Sequence, residues 1–396
     1  MMVCGQACTA IAIAQTKGMS RYFGLQAMIK NNRVDHVDIA KGISIILVAL
    51  FHSNLRSIAP DLINPMGLFR MPLFFFLSGL FLSTSSSFNT FLIKKSDALL
   101  KPYYFTSFVL LVISAIANWG PYKGHLMYQF KGILYGNGAT VVWGPLWFLT
   151  HLFAVYCFAY LVFRFTGIQS RRPVVKGIFV ATMLAIGTHW IGFFQNEEVI
   201  FYGKNIELHG LPFSVDLVFI SSAFFMAGSF LKERIVDFVP NLYVFFISIF
   251  IFVAIVVLTG AQIDLNHRVY ANPLFATIGA VCGIYFSISI SVYMSKIMLL
   301  RHALLVFGRA SLFILIFHMY VGGMVYMVLV EAGNEGPVNI MVSLIAFLSS
   351  ITLPLLIKKM VSRSEVLSLL YFPLKANNFL YRIRRAHYIN EHLLKR

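Results

Sequence analysis

Ten apolar segments, each about as long as a membrane-crossing helix, constrain the fold of this sequence more than any other feature. Crossing ~30 Å of hydrocarbon takes about 20 apolar residues in an α-helix. The segments lie at residues 39–57, 67–83, 102–118, 145–163, 177–194, 211–231, 241–260, 274–294, 311–330 and 339–357. With 59% hydrophobic and 12% charged residues, the chain lacks the polar surface of a soluble domain. We therefore predict an all-α, polytopic integral membrane protein with about ten transmembrane helices.

The net charge of +17 is distributed unevenly along the chain. If the N-terminus is cytoplasmic, 26 of the 32 Lys and Arg residues fall on the cytoplasmic side of the ten spans. Lys and Arg are concentrated on that side in membrane proteins. We therefore predict that both termini are cytoplasmic and that the chain lies in a lipid bilayer. The positive charge is explained by this topology, so nucleic acid is not an expected partner.

The sequence predicts one membrane domain at residues 33–359, flanked by two segments of another kind. Residues 1–32 hold no apolar run long enough to span a membrane, and we predict a poorly structured lead or an over-long start with Met19 or Met28 as the initiator. Residues 360–396 are predicted to be a basic cytoplasmic tail, whose amphipathic end favours a helix on the membrane surface. The four cysteines show neither a disulfide framework nor a metal-ligand spacing, so no metal is expected.

The first apolar segment carries ionisable side chains in a place where hydrocarbon makes them costly. Asp38 and Lys41 have the spacing that allows an ion pair on one helix face. His52 lies on the same face as Lys41, three turns or about 16 Å further along the axis. An ionisable group inside a span costs about 2.5–3.5 kcal/mol, so such residues usually have a function. We predict that this stripe, continued by Arg56, lines a passage between two substrates.

Polar residues of the next two segments extend this candidate site. Arg70 is near one end of the second segment, within reach of His52 if the first two helices form a hairpin. Ser78 is deeper in the same segment and is predicted to contact substrate. Lys95 and Lys101 precede the third segment, where cations favour a phosphorylated cytosolic donor. The concentration of cations on the cytoplasmic side explains these lysines nearly as well.

These residues occur in an order that resembles the bacterial membrane-bound acyltransferase-3 family, and most of all its fucose 4-O-acetylase-like branch. The resemblance covers the whole membrane domain, although its motifs are specific only in the first third of the chain. The motifs are Asp-x-x-Lys-Gly followed by Val-x-x-x-His at residues 38–52, MPLFFFLSG at 71–79, LLKPY at 99–103 and LWFL at 146–149.

The resemblance implies ten spans and the transfer of an acyl group, usually acetyl, to a hydroxyl of a glycan or lipid-linked sugar. It implies acetyl-CoA as the acyl-CoA co-substrate and the bacterial cytoplasmic (inner) membrane as the location. The family's pattern of a basic residue ten positions before a histidine maps onto Lys41 and His52. Many members have Arg at the first position, and Lys lacks the bidentate fork of Arg for an anion. The family's basic residues before Pro-Tyr map onto Lys95 and Lys101.

Acyl transfer also suits these residue types on chemical grounds. The neutral imidazole of His52 could remove the hydroxyl proton near pH 7, or could carry the acyl group itself. Arg70 could stabilise the oxyanion. His318, in the ninth segment, is the second candidate imidazole, and its alternative is a hydrogen bond in the core. Trp147 could stack on a sugar ring or anchor its helix at the interface.

Two other classes of membrane protein compete with an O-acyltransferase. A transporter or flippase for a glycan precursor would also bury charged residues. Such a protein often contains Gly- or Pro-broken spans in corresponding positions of its two halves, and this sequence has no such pair. A non-catalytic scaffold gives no reason for clustering ionisable residues in the first span. We therefore predict an O-acyltransferase, with the transporter as the alternative.

Overall fold

The computed structural model describes residues 34–117, 123–194, 198–201, 204–207, 210–333 and 339–374. Helices dominate these ranges. The helices are α1 (Asp35–Phe51), α2 (Leu55–Ile58), α3 (Pro60–Ile63), α4 (Gly67–Gly79), α5 (Phe88–Lys95), α6 (Lys101–Ala117), α7 (Lys123–Tyr135), α8 (Trp147–Thr166), α9 (Pro173–Ile191), α10 (Val218–Phe230), α11 (Lys232–Val236), α12 (Leu242–Thr259), α13 (Pro273–Ser295), α14 (Met298–Arg309), α15 (Ser311–Gly333), α16 (Ile340–Arg363) and α17 (Glu365–Tyr371).

Nine helical stretches of the described residues are long and apolar enough to cross a membrane. They contain α4, α6, α8, α9, α10, α12, α13, α15 and α16, and each coincides with a predicted span. The remaining predicted span is α1, whose 17 residues reach about 26 Å. The prediction of an all-α polytopic membrane protein is therefore confirmed.

The ends of several spans follow from local sequence signals. Asn241 and Asn339 precede α12 and α16, and each side-chain oxygen accepts hydrogen bonds from the amides two and three residues later. Helices α8 and α12 end before Gly167 and Gly260, which both have a φ of 60°. This left-handed conformation is open to glycine and terminates a helix.

The central helices approach one another through small residues. A Cβ atom on Gly79 of α4 would lie 1.8 Å from the carbonyl oxygen of Phe225 in α10. On Gly228 of α10, it would lie 2.0 Å from the carbonyl oxygen of Phe76. Glycine at both positions therefore lets α4 and α10 pack backbone to backbone. In contrast, α9 and α12 leave most of their apolar side chains exposed, as helices facing lipid do.

Two short antiparallel hairpins connect consecutive long helices. Strand β1 (Glu198–Phe201) pairs with β2 (Lys204–Glu207) between α9 and α10. Strand β3 (Gln262–Asp264) pairs with β4 (Val269–Ala271) between α12 and α13. The sequence does not predict either hairpin, because strands of three or four residues are too short to show an alternating pattern.

The structure also changes the predicted boundaries of the first span. Helix α1 ends at Phe51, and Arg56 lies in the separate helix α2. The prediction that Arg56 continues the stripe on the first span is therefore wrong. Helix α14, which packs along α1, is not predicted either. The predicted lead at 1–32 and residues 375–396 of the predicted tail lie outside the described residues.

Candidate active site

A cavity of about 180 Å³ lies between α1, α4, the start of α8, the β3–β4 turn and α15. Three residues predicted for the site, His52, Arg70 and Trp147, line this cavity. Its other walls are mostly apolar and include Phe74 and Leu315. The structure therefore brings together side chains from the first, second and fourth predicted spans around one small chamber.

His52 is the residue that directly follows α1, and its side chain is exposed at the border between the cavity and a shallow surface groove. Its backbone amide donates to the carbonyl of Val48, which completes the last turn of the helix. The centre of its ring lies 5.4 Å from the ring centre of His318. His52 can thus meet a ligand in the cavity while it contacts a second, buried imidazole.

His318 is 1% exposed and lies behind His52. Its Nδ1 lies 2.8 Å from the carbonyl oxygen of Ile314 and 3.0 Å from that of Leu315. A carbonyl oxygen can only accept, so Nδ1 carries the hydrogen and donates it. In the neutral ring, Nε2 is then an acceptor. Nε2 is buried and has no hydrogen-bond partner among the described residues.

Arg70 is 5% exposed, and its guanidinium lies over the ring of Phe51, with Cζ 3.6 Å from the ring centre. Its Nε and Nη1 have no hydrogen-bond partner in the described part of the chain. Among these residues it also forms no ion pair within 4 Å. The proximity to His52 that the sequence predicts for a helix hairpin is present, since both residues line the same cavity.

Unsatisfied buried polar atoms are concentrated around this cavity. In the described ranges, eight buried side-chain atoms lack a partner, and four of them are serine hydroxyls. The other four belong to Arg70, His318 and Asn266, which line the cavity or contact His52. Buried polar groups are nearly always hydrogen-bonded, and unsatisfied ones at such a site point to a ligand or to chemistry.

Trp147 forms part of the cavity wall and is held in place by the side chain behind it. Its ring stacks on that of His151 at 5.6 Å. His151 is fully buried, and its Nε2 lies 2.7 Å from the hydroxyl of Ser221. His151 therefore has a structural role, while Trp147 presents a rigid aromatic surface to the cavity.

The β3–β4 turn supplies cavity residues that the sequence does not predict. Asp264, Asn266 and His267 line the cavity, and an oxygen of Asp264 lies 3.0 Å from Nδ1 of His267. The turn is fixed by Arg268, whose Nε donates to Asp216 at 3.1 Å and whose Nη1 donates to the carbonyl of Asn266 at 2.8 Å. The loop is polar and short, and no local signal shows that it folds over the site.

The carboxylate of Asp216 is the fully buried partner of this ion pair. Its other oxygen accepts a hydrogen bond from the amide of Leu211 at 2.8 Å. Nearby, Phe213, Ser214 and Arg268 all have positive φ, which is unusual for residues other than glycine. The buried ion pair thus holds the turn over the cavity and stabilises the strained backbone around it.

The predicted site residues Asp38 and Lys41 do not line this cavity. They form the expected pair, with 3.7 Å between Lys41 Nζ and an oxygen of Asp38. Nζ of Lys41 also lies 3.7 Å from the ring centre of Phe81. The stripe on α1 thus separates into a paired group near the start of the helix and a cavity group at its end.

Lys95 and Ser78 also lie outside the cavity but have a common neighbour in Tyr156. Nζ of Lys95 lies 3.4 Å from the ring centre of Tyr156. The hydroxyl of Tyr156 donates to the carbonyl of Ser78 at 3.2 Å. These two predicted substrate residues are therefore close together in space, although they come from different segments.

Lys101 takes part in a group of contacts that we call the C-terminal clamp, formed by Asp97, Lys101 and Thr106 with residues 371–374. Its Nζ lies 2.5 Å from an oxygen of Asp97 and donates to the carbonyl of Phe372 at 2.8 Å. The other oxygen of Asp97 accepts from the amide of Leu374. The hydroxyls of Thr106 and Tyr371 lie 3.2 Å apart. The clamp joins the start of α6 to the segment after α17.

Among the described residues, no group of three His, Cys, Asp or Glu side chains is arranged to hold a metal ion. The arrangement at the cavity instead offers the imidazoles of His52, His267 and His318, a guanidinium and an aromatic wall. These groups suit proton transfer and the stabilisation of negative charge on a bound substrate.

The fold and the cavity define a helical membrane protein with a partly buried polar site. Residues 34–359 match the acyltransferase domain of the acyltransferase-3 family, which is most of the chain. The protein belongs to this family and is a membrane acyltransferase. No curated protein and no solved structure matches the chain.

Proposed function

We propose that this acyltransferase moves an acetyl group from acetyl-CoA to a hydroxyl of a cell-surface glycan or lipid-linked sugar, with His52 at the reacting centre. The observation that carries the proposal is the concentration of unsatisfied polar atoms beside His52. These are Nε2 of His318 and the Nε and Nη1 atoms of Arg70. Burying polar atoms without hydrogen bonds lowers the stability of a fold, and a catalytic role gives a reason for keeping them.

The proposed reaction can use His52 in two ways. As a general base, the imidazole takes the proton of the acceptor hydroxyl while the oxygen attacks the thioester carbonyl; the C–S bond then breaks, and the CoA sulfur receives the proton. As an acyl carrier, the imidazole attacks the thioester carbonyl, and the C–S bond breaks to release the CoA thiolate. The acceptor hydroxyl then attacks the acyl-imidazole, the N–acyl bond breaks, and the hydroxyl proton goes to the CoA thiolate. Both routes need a ring nitrogen directed into the cavity.

His318 supports either route as a positioning residue. Its hydrogen bonds to Ile314 and Leu315 leave Nε2 as an acceptor beside His52. An N–H of His52 directed to that acceptor would leave the other nitrogen of His52 with its lone pair toward the substrate. This is the general arrangement in which a base is oriented by a third group.

Arg70 and Trp147 complete the proposed site. Arg70 is the one Lys or Arg among the residues that line the cavity, where its guanidinium can stabilise the oxyanion of acyl transfer. The buried indole of Trp147 offers a flat apolar surface of the kind on which a sugar ring can stack. The acceptor would therefore lie between Trp147 and His52.

For the donor, Lys95 is the best placed of the predicted lysines. It lies over Tyr156 and beside Ser78, and it has no acidic partner within 4 Å among the described residues. Lys101 would have to leave the C-terminal clamp before it could bind a phosphate. Lys41, paired with Asp38, is a further cation for the phosphates of acetyl-CoA.

The expected setting is the bacterial cytoplasmic membrane, with both termini on the cytoplasmic side and an activity like that of the fucose 4-O-acetylase-like branch. The charge distribution supports this orientation. The donor lysines would then meet cytosolic acetyl-CoA, and the acyl group would move along the bundle toward His52.

The test uses proteoliposomes of the full-length protein, acetyl-CoA labelled in the acetyl group, and extracted surface glycan or lipid-linked sugar. We expect alkali-labile label on the acceptor, and a rate about 10²–10⁴-fold lower for His52→Ala. His189→Ala is the matched control, because His189 is an exposed histidine at the end of another span. A wild-type rate in His52→Ala would overturn the proposal. Movement of unlabelled glycan across the membrane without acetyl transfer would favour the transporter instead.

A further inference from the structure

Arg70 places a buried positive charge on the wall of the cavity. Arg70 is 95% buried and lines the cavity, yet the described residues provide no hydrogen-bonding anion for its charge. Taking a charge out of water costs several kcal/mol, and this cost is recovered only when an opposite charge lies close by. A buried guanidinium without a partner on a cavity wall is therefore an incomplete ion pair.

One neighbour of Arg70 compensates its charge in part, and another adds to the positive charge around it. The ring of Phe51 contributes a cation–π contact, but the same ring also lies under the exposed guanidinium of Arg56, with Cζ at 3.8 Å. Two like charges thus share one aromatic ring at the edge of the cavity. The charge of Arg56 therefore adds to the positive potential at Arg70 instead of reducing it.

The acidic residue on the cavity wall does not complete the pair either. Asp264 is the one carboxylate among the residues that line the cavity, and it forms no ion pair with Arg70 within 4 Å. Its oxygens instead contact the amide and the ring of His267. Asp264 is near enough to attract the guanidinium, but among the described residues Arg70 has no direct ion-pair partner.

From this arrangement we infer that the cavity contains an anion-binding subsite at Arg70, and that a substrate of the proposed acyl transfer carries a carboxylate or phosphate group which occupies it. The anion-binding site is inferred from the structure alone, whereas the statement that its ligand is a substrate rests on the proposed function. An oxyanion exists only during the reaction step itself. A permanent anionic group on the substrate instead pairs with the guanidinium for as long as the substrate is bound.

The group could belong to the acceptor, as in an acidic sugar or a phosphate-linked sugar, or to the acyl chain, as in a dicarboxylic acyl group. Both sources present the same chemistry to Arg70, whose guanidinium suits carboxylate and phosphate oxygens. The test therefore first measures anion binding by the protein alone and then varies each substrate separately.

Binding is measured on the full-length protein in detergent, by titrating inorganic phosphate at constant ionic strength and following the thermal unfolding midpoint. We expect a saturable rise in the midpoint for the wild type, because a ligand that binds only the folded state stabilises it. Arg70→Met should bind phosphate about 10- to 100-fold more weakly, as expected when a charged hydrogen bond is lost. Arg56→Met, the matched control on the same ring, should keep the rise.

The direction in which the unfolding midpoint changes without phosphate distinguishes a binding role of Arg70 from a packing role. Without phosphate, Arg70→Met should unfold at a higher temperature than the wild type, because a buried charge that has no direct ion-pair partner among the described residues has been removed. Arg70→Lys keeps the positive charge but lacks the paired N–H donors of the guanidinium. It should bind phosphate more weakly than the wild type, and its unfolding midpoint without phosphate should not rise. The same phosphate response in Arg70→Met and wild type, or no saturable response in the wild type, would overturn the inference.

The source of the anion follows from initial rates with paired substrates. One arm compares a neutral hexoside acceptor with the corresponding uronic acid; the other compares acetyl-CoA with succinyl-CoA on the neutral acceptor. A lower KM for the anionic member of one pair, lost in Arg70→Gln, identifies the source. Equal KM values in both arms would contradict the substrate part of the inference. Phosphate binding needs no turnover, so a protein that binds phosphate through Arg70 but transfers no acyl group would refute only the proposed function.

Discussion

Polar side chains are paired within the C-terminal clamp, whereas several around the cavity have atoms with no partner among the described residues. In the clamp, Lys101 is paired with Asp97 and the carbonyl of Phe372, so both charges are satisfied by the protein itself. Around the cavity, atoms of Arg70 and His318 are buried without a partner. The clamp has the chemistry of a structural joint, whereas the cavity has the chemistry of a site that is completed by its substrates.

The comparison predicts that substitutions in the two regions separate activity from stability. Removing a polar group that the protein has left unpaired should cost activity and little stability, since no intramolecular bond is lost. Removing one member of a pair should cost stability, in proportion to how deeply the remaining partner is buried.

The buried ion pair under the β3–β4 turn should show the largest loss of stability. Asp216→Asn leaves the 5%-exposed guanidinium of Arg268 without its partner. We expect a decrease of about 3–5 kcal/mol in the free energy of unfolding. The double variant Asp216→Asn with Arg268→Met should be more stable than the single one, because no unpaired charge remains. Equal stability of wild type and Asp216→Asn in thermal or denaturant unfolding would show that the pair does not hold the turn.

Substitution of His318 should instead lower activity more than stability. His318→Phe removes the unpaired Nε2 acceptor together with the bonds of Nδ1 to the carbonyls of Ile314 and Leu315. Both carbonyls belong to α15 and still accept from its backbone amides, so we expect only a small decrease in the unfolding midpoint. The acyl-transfer rate should fall about 10- to 100-fold, less than the ~10²–10⁴-fold expected for loss of the general base, because His318 only orients His52. His318→Gln restores an acceptor oxygen and should recover part of the rate. A large loss of stability with full activity per folded molecule would instead assign His318 to the core.

Lys101 should show the smallest effect. Its ion pair with Asp97 is partly exposed, and such pairs contribute about 1 kcal/mol or less. Lys101→Met should therefore lower the unfolding free energy slightly, and the KM for acetyl-CoA should stay unchanged. Lys95→Met should raise that KM about 2- to 10-fold at constant kcat, the pattern of lost ground-state binding. If Lys101→Met raised the KM as much as Lys95→Met, the clamp would have to open for the donor.

Local signals in the sequence account for the predictions that the structure confirms. Long apolar runs predict the spans, and Asn241 and Gly260 mark where one of them starts and ends. The proximity of His52 and Arg70 follows from a hairpin of consecutive helices, which is the simplest connection between adjacent spans. These features depend on neighbouring residues, and a single sequence contains enough information for them.

The remaining parts of the site depend on contacts between distant segments. His52 and His318 are brought together by the packing of α15 against α1, and no periodicity in either helix encodes that contact. Arg268 contacts Asp216 across 52 residues, and Lys101 contacts Phe372 across 271. Whether a polar atom is paired is a property of such contacts. The sequence can therefore name Arg70 and Lys101 as candidates but cannot show that one is unpaired and the other is not.

The most direct test of the central claim is an electron cryo-microscopy map of the protein with its acceptor and a non-hydrolysable thioether analogue of acetyl-CoA. We predict density for the acceptor in the cavity between Trp147 and His52, with the acyl end of the analogue in contact with the imidazole of His52. Acceptor and acyl group bound together elsewhere, with the cavity at Arg70 empty, would contradict the account.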